Sequence, residues 1–213
     1  MDTHAKWAGR QRLELAAKAL TKHGFSTVVV ETKEEAAAKV LEMIPAGAKV
    51  GIGGSITVRE LGLVDALGAR GNTVYQHWKP GLTREEEMAI RRAQLTSDVF
   101  LASSNAVTLS GELVNIDGVG NRVASEFFGP GKIILIAGVN KITKDVTDGI
   151  WRTRNIAAPA NGHRLNIKTP CGVAGYCNDC DSPERFCRVL VVLERQPSRS
   201  DITVVLVNED LGY

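Results

Sequence analysis

Apolar positions along the chain switch between two spacings. Leu13, Ala16, Ala17 and Leu20 recur at helical intervals and Gly24 follows as a stop, which predicts an opening amphipathic helix. Val28-Val29-Val30 reads as a buried strand. Thr32 and Glu35 have the spacing of a capping box, and Val40, Leu41 and Ile44 carry that helix to Pro45. Lys49-Val50-Gly51-Ile52 predicts a strand ending in Gly53-Gly54-Ser55, and Val58, Leu61, Val64 and Leu67 predict one helix after it. Thr73-Val74-Tyr75 reads as a strand, and Thr83 with Glu86 caps a helix that runs to about Leu95. Val99-Phe100-Leu101-Ala102 and Ile133-Ile134-Leu135-Ile136 are unbroken apolar runs of strand length. Strands without polar alternation are covered on both faces, as in a parallel sheet between helices. Residues 145–158 read as a helix with Trp151 in the core. Residues 189–193 and 202–207 read as two strands that Gln196-Pro197-Ser198-Arg199-Ser200 could join as a hairpin.

This pattern predicts an α/β fold with an open, mostly parallel sheet flanked by helices. Residues 1–165 form the α/β domain, 166–188 a cysteine-rich loop, and 189–213 strands that return to the same domain. The 213 residues, 44% of them apolar, suffice for one core. Lys and Arg number 26 against 24 Asp and Glu, so the net charge is +2. That balance lacks the basic face of a nucleic-acid binder and does not suggest an anionic membrane surface. No stretch approaches the roughly 20 apolar residues of a membrane helix, and the first residues lack a secretory pattern. The expected location is cytoplasmic.

Three constellations could carry chemistry. Gly51-Ile52-Gly53-Gly54-Ser55 turns a strand into a helix, where close backbone approach and the Ser55 hydroxyl suit an anion. A tight turn with Ser55 as a plain N-cap is the alternative. The second, Ser103 through Arg122, begins where an apolar strand ends, the place where open α/β sheets bind ligands. In it Glu112, Asn115 and Asp117 are read as one strand face, with Glu112 as candidate base or nucleophile. Asn105, Gly118 and Asn121 join them as binding residues, and Arg122 is assigned to grip an acid or phosphate. An ordinary hairpin turning at Asp117-Gly118 is the alternative.

The third constellation is Cys171, Cys177, Cys180 and Cys187, spaced Cys-x5-Cys-x2-Cys-x6-Cys within 17 residues. A Cys-x2-Cys pair suits tetrahedral zinc or a [4Fe–4S] cluster, and the presence of only one such pair favours the cluster. Arg164, Arg185 and Arg188 would offset the thiolate charge. Free thiols or adventitious disulfides remain the alternative. His4, His23, His77 and His163 are read as terminal or loop residues, and the tryptophans form no stacking stripe.

Gly51 to Ser55, Gly111-Glu112-Leu113-Val114-Asn115-Ile116-Asp117-Gly118 with Asn121-Arg122, and Asn155-Ile156-Ala157-Ala158-Pro159-Ala160-Asn161 resemble the lactate-utilization (LUD) domain family. The similarity spans about Trp7 to Cys187. It is greatest to a short, lactate utilization protein C-like branch in which the domain precedes Thr-Pro-Cys and a thiol cluster. The resemblance implies a fold similar to ribose-5-phosphate isomerase and the CoA transferases. It also implies an accessory place in oxidation of L-lactate, a 2-hydroxy acid, beside iron–sulfur protein partners. The expected ligand is an anionic small molecule, an organic acid or a phosphorylated compound, and a homo-oligomer is left open. Two other readings stand beside this one. One is an isomerase- or CoA-transferase-like enzyme using Glu112, and the other a non-enzymatic binding module with structural zinc.

Overall fold

The computed structural model describes residues 2–213. Helix α1 (Thr3–Lys22) starts where the Asp2 carboxylate accepts from the backbone N–H groups of His4 and Ala5, and it buries Leu13, Ala16, Ala17 and Leu20. Then come β1 (Ser26–Val30), α2 (Lys33–Glu42), β2 (Lys49–Ile52), α3 (Ile56–Glu60), α4 (Leu63–Ala69), β3 (Thr73–Tyr75), α5 (Arg84–Leu95) and β4 (Val99–Ala102). A short hairpin, β5 (Ala106–Thr108) and β6 (Leu113–Asp117), leads through α6 (Asn121–Ser125) to β7 (Lys132–Gly138). A 3₁₀ turn (Val139–Lys141) precedes β8 (Ile142–Thr143), α7 (Val146–Arg152), a π-helical turn (Thr153–Ala157) and α8 (Ala158–Arg164). The chain closes with α9 (Pro170–Ala174), β9 (Val189–Leu193) and β10 (Ile202–Val207).

The main sheet has six parallel strands in the order β1-β10-β7-β4-β2-β3. Successive residues of its central strands pack into different layers. Ile134, Ile136, Val205 and Val207 meet α2, α3 and α4, while Ile133, Leu135, Val204 and Leu206 meet α1 and the smaller sheet. Covering both faces is what makes these strands continuously apolar. The smaller sheet, β8-β5-β6-β9, is mixed, with only β5 and β8 parallel.

The local expectations fare unevenly. The capping box at Thr83 and Glu86 is complete. At Thr32 only half of one forms, because Glu35 returns its carboxylate to the N–H of Glu31. The single helix expected over Val58 to Leu67 is two, broken at Gly62, whose φ of 65° is left-handed. The expected C-terminal hairpin does not form. Strand β9 pairs antiparallel with β6, whereas β10 inserts between β1 and β7 and is buried along its length. Trp151 is 56% exposed rather than in the core, since α7 turns that position to the surface. Among the described residues no helix is long and apolar enough to cross a membrane.

Candidate functional site

A cavity of about 420 Å³ opens at the carboxyl ends of the parallel strands. Residues just past β2 (Gly54, Ser55, Thr57), β3 (His77, Trp78), β4 (Ser103, Asn105) and β7 (Lys141) all line it. Strand ends of open α/β sheets converge this way because the loops leaving them are free to vary while the sheet holds their origins fixed. The rest of the lining comes from Asp117, Gly118, Asn121 and Arg122 at and after the end of β6, from Asn161, Arg164 and Leu165 around the end of α8, and from residues that include Phe186 and Tyr213.

The sequence candidates divide into lining and supporting groups. Gly54, Ser55, Asn105, Asp117, Gly118, Asn121 and Arg122 line the cavity. Ser55 also caps α3, its Oγ accepting from Val58 N–H at 3.2 Å. Gly51 and Gly53 lie behind the wall. A side chain at Gly51 would strike Ser97 Oγ at 2.8 Å, and one at Gly53 would meet Arg122 at 3.0 Å. Their glycine is required for packing, not for contact with a ligand. Asn115 is fully buried, and its Oδ1 accepts from Asn105 N–H at 2.8 Å and Arg122 Nη1 at 3.0 Å.

Glu112 does not reach the cavity. It sits before β6 at the opposite end of the hairpin, where its carboxylate accepts from the hydroxyls of Thr108 and Ser110. It stands three positions before Asn115, an odd offset, so the two are not on one strand face. The geometry gives it no part in the cavity's chemistry.

Arg122 is a brace more than a grip. Its Nη1 donates to Ser103 O, Asn115 Oδ1 and Glu126 Oε1, and its Nη2 to Asn105 Oδ1 and Ile116 O. Asp117 is likewise occupied, accepting from the N–H groups of Gly118, Arg122 and Val123. The buried Glu126 lies 2.6 Å from Arg122, and burial pushes its carboxyl up to about 7 against the pull of that cation.

Residues outside the expected set complete the cavity. Lys141 is 2% exposed, and its Nζ donates to Thr57 Oγ1 at 2.9 Å and Ser103 Oγ at 2.8 Å. Burial, with Arg152 and Arg122 nearby, lowers its pKa to about 7. Arg164 donates to Asn161 Oδ1 and stands beside the Tyr213 hydroxyl. Among the described residues neither Lys141 nor Arg164 has a carboxylate at ion-pair distance. Of the other lining cations, Arg122 is paired with Glu126, and Arg91 is paired with Glu87 and reaches Asn121 Oδ1 at 2.6 Å.

His77 is held neutral, its pKa lowered to about 4 by burial and then by Arg91. Gln94 Nε2 faces the carbonyls of Ile52 and Tyr75, which identifies it as the donor to His77 Nδ1 at 3.1 Å and leaves the proton on Nε2. Trp78 packs beside His77 and carries the Arg59 guanidinium 3.8 Å above its ring. One signal for Lys141 was in the sequence: it stands just past a buried strand, where such sheets bind ligands.

The four cysteines come together. Cys171, Cys177, Cys180 and Cys187 line one small cavity of about 10 Å³ with Arg154 and Arg185, and all four thiols are free. Asp179 N–H donates to Cys177 Sγ at 3.4 Å, and Thr169 Oγ1 lies 3.4 Å from Cys171 Sγ. Arg185 donates to the carbonyls of Cys180 and Cys187. The Nε of Arg154 is buried without a partner. Thiols with polar and cationic groups around them fit a four-thiolate inorganic centre by donor chemistry. Of the arginines expected here only Arg185 lines the thiol cavity; Arg164 faces the larger one and Arg188 neither, while Arg154 takes an unexpected place. Ala158 lines both cavities, and Phe186 and Cys187 face one each.

A family model described as the LUD domain matches residues 13–207. The crystal structure of a DUF162 family protein from Deinococcus radiodurans is similar in fold. Its TM-score is 0.54 at 14% sequence identity, covering 93% of this chain and 98% of that one. No curated protein matches the chain significantly.

Proposed function

The chain belongs to the LUD domain family, and from that premise we propose that it serves lactate utilization by binding a small organic acid anion in the strand-end cavity. One observation carries this reading: the cavity wall holds Arg164 without a carboxylate partner and Lys141 with hydroxyl partners, so an anionic ligand would supply the countercharge Arg164 lacks and accept a hydrogen bond from Lys141. At about 420 Å³ the cavity lies within the range of small-molecule sites and exceeds a three-carbon acid, leaving space for a phosphorylated or otherwise larger one. Calorimetry with L-lactate, pyruvate and inorganic phosphate tests it. An anion should bind the native protein and bind Lys141→Met and Arg164→Ala about tenfold or more weakly, as loss of a charge-assisted hydrogen bond implies. Absence of binding, or equal affinity in the variants, would overturn the reading.

The thiol cavity supports a second component, a [4Fe–4S] cluster held by Cys171, Cys177, Cys180 and Cys187. When bound it supplies one-electron chemistry, which suits an accessory subunit working beside iron–sulfur partners. Structural zinc would use the same four thiolates, and metal content separates the two. Protein prepared without air should contain iron and inorganic sulfide in equal amounts and lose both on Cys177→Ala. Zinc with no iron would contradict it.

A further inference from the structure

Among the charged groups of the strand-end cavity, Lys141 differs in kind. It is buried at the cavity wall, and its hydrogen-bond partners are two hydroxyls from separate elements, Thr57 and Ser103. Its charged neighbours are the cations Arg152 and Arg122, with Glu60 acting weakly in the other direction. A lysine meant only as a structural cation is paired with a carboxylate when buried. Desolvation beside other cations instead favours the free amine, the form that attacks carbonyl carbon.

We infer that Lys141 is a covalent site, its Nζ condensing with the carbonyl of a 2-oxo acid bound in the cavity. The inference rests on the reading that an organic acid binds there, and it names the substrate class as 2-oxo acids. The nitrogen lone pair forms the bond to C2 while the π pair of the carbonyl moves to oxygen. The C2–O bond then breaks, and the oxygen departs as water carrying both amine protons, leaving a C=N bond to Lys141. Nothing is oxidised or reduced in this step. Thr57 Oγ1 and Ser103 Oγ, each in contact with the reacting nitrogen, are placed to pass those protons to the leaving oxygen. Arg164 and Asn161, which line the same cavity, remain to hold the carboxylate.

The test incubates the full chain with pyruvate, adds cyanoborohydride as hydride donor, and maps the reduced adduct by peptide mass spectrometry. Calorimetry with pyruvate but no reductant runs alongside. The expected result is a reduced pyruvate adduct on Lys141 alone, lost in Lys141→Met. Mapping the native chain keeps the test independent of how that variant folds. Pyruvate binding without an adduct, or labelling spread evenly over exposed lysines, would overturn the covalent step and leave the anion-binding reading intact. Absence of both heat and adduct with pyruvate, together with absence of heat from L-lactate and phosphate, would overturn both.

Discussion

At the scale of single residues, the cavity depends on one guanidinium that a ligand need never touch. Arg122 ties the ends of β4 and β6 to α6 through five acceptors, one of them the buried Glu126. Arg122→Met keeps much of the bulk but leaves that carboxylate without its cation. Breaking a buried pair in this way costs about 3–5 kcal/mol. The sign with pH is set by Glu126. Its folded pKa of about 7 lies above the unfolded value of about 4.3, so the folded state takes up the proton more readily. Stability is lost as pH rises between those values, and removal of Arg122 raises the folded value further. Denaturation at several pH values should therefore show the variant's deficit smaller near pH 5 than above pH 7. A deficit independent of pH would place the cost elsewhere. That Ser55, Asn105, Asp117 and Arg122 border the cavity was legible because each stands at a strand end or turn whose pattern is local. For Lys141 only its place past a buried strand was legible, because its sequence neighbours Asn140 and Ile142 do not reveal that a 3₁₀ turn folds it inward. Glu112 misled because acidity and a glycine-rich setting say nothing of which end of a hairpin a residue occupies.

At the scale of elements, boundaries written in caps and glycines were legible, while partners were not. Strand β9 reads like any short apolar strand, yet its place against β6 comes from tertiary contact alone. The stretch from α7 to α8 shows a different limit. Apolar spacing identified a helix, but not the wide π turn at Thr153–Ala157. Such turns recur at functional sites, where the extra residue shifts the facing of the next helical turns. Deleting Ile156, an exposed residue within it, should restore regular α geometry and rotate α8 by about 100°. Ala158 and Arg164 would leave their walls. The expected outcome is unchanged far-ultraviolet circular dichroism with loss of both anion binding and iron retention. Retention of either activity would show that the turn does not set these positions.

At the scale of the whole molecule, the parallel sheet was readable because its central strands are apolar at every position, the mark of cover on two faces. The order β1-β10-β7-β4-β2-β3 was not. Placing the last strand at the centre joins residues far apart in sequence, and no local pattern encodes such a pairing. That arrangement brings Tyr213 near the strand ends that hold Gly54 and Ser103.

The partition at Ala158 has a thermodynamic consequence. With one small residue bordering both chambers, and Arg154 and Arg164 on the same helical run serving one chamber each, charge admitted on either side alters the potential on the other. Were the proposed anion and cluster both bound, their occupancies would be heterotropically linked. Whatever factor the first ligand imposes on the affinity of the second, the second returns to the first.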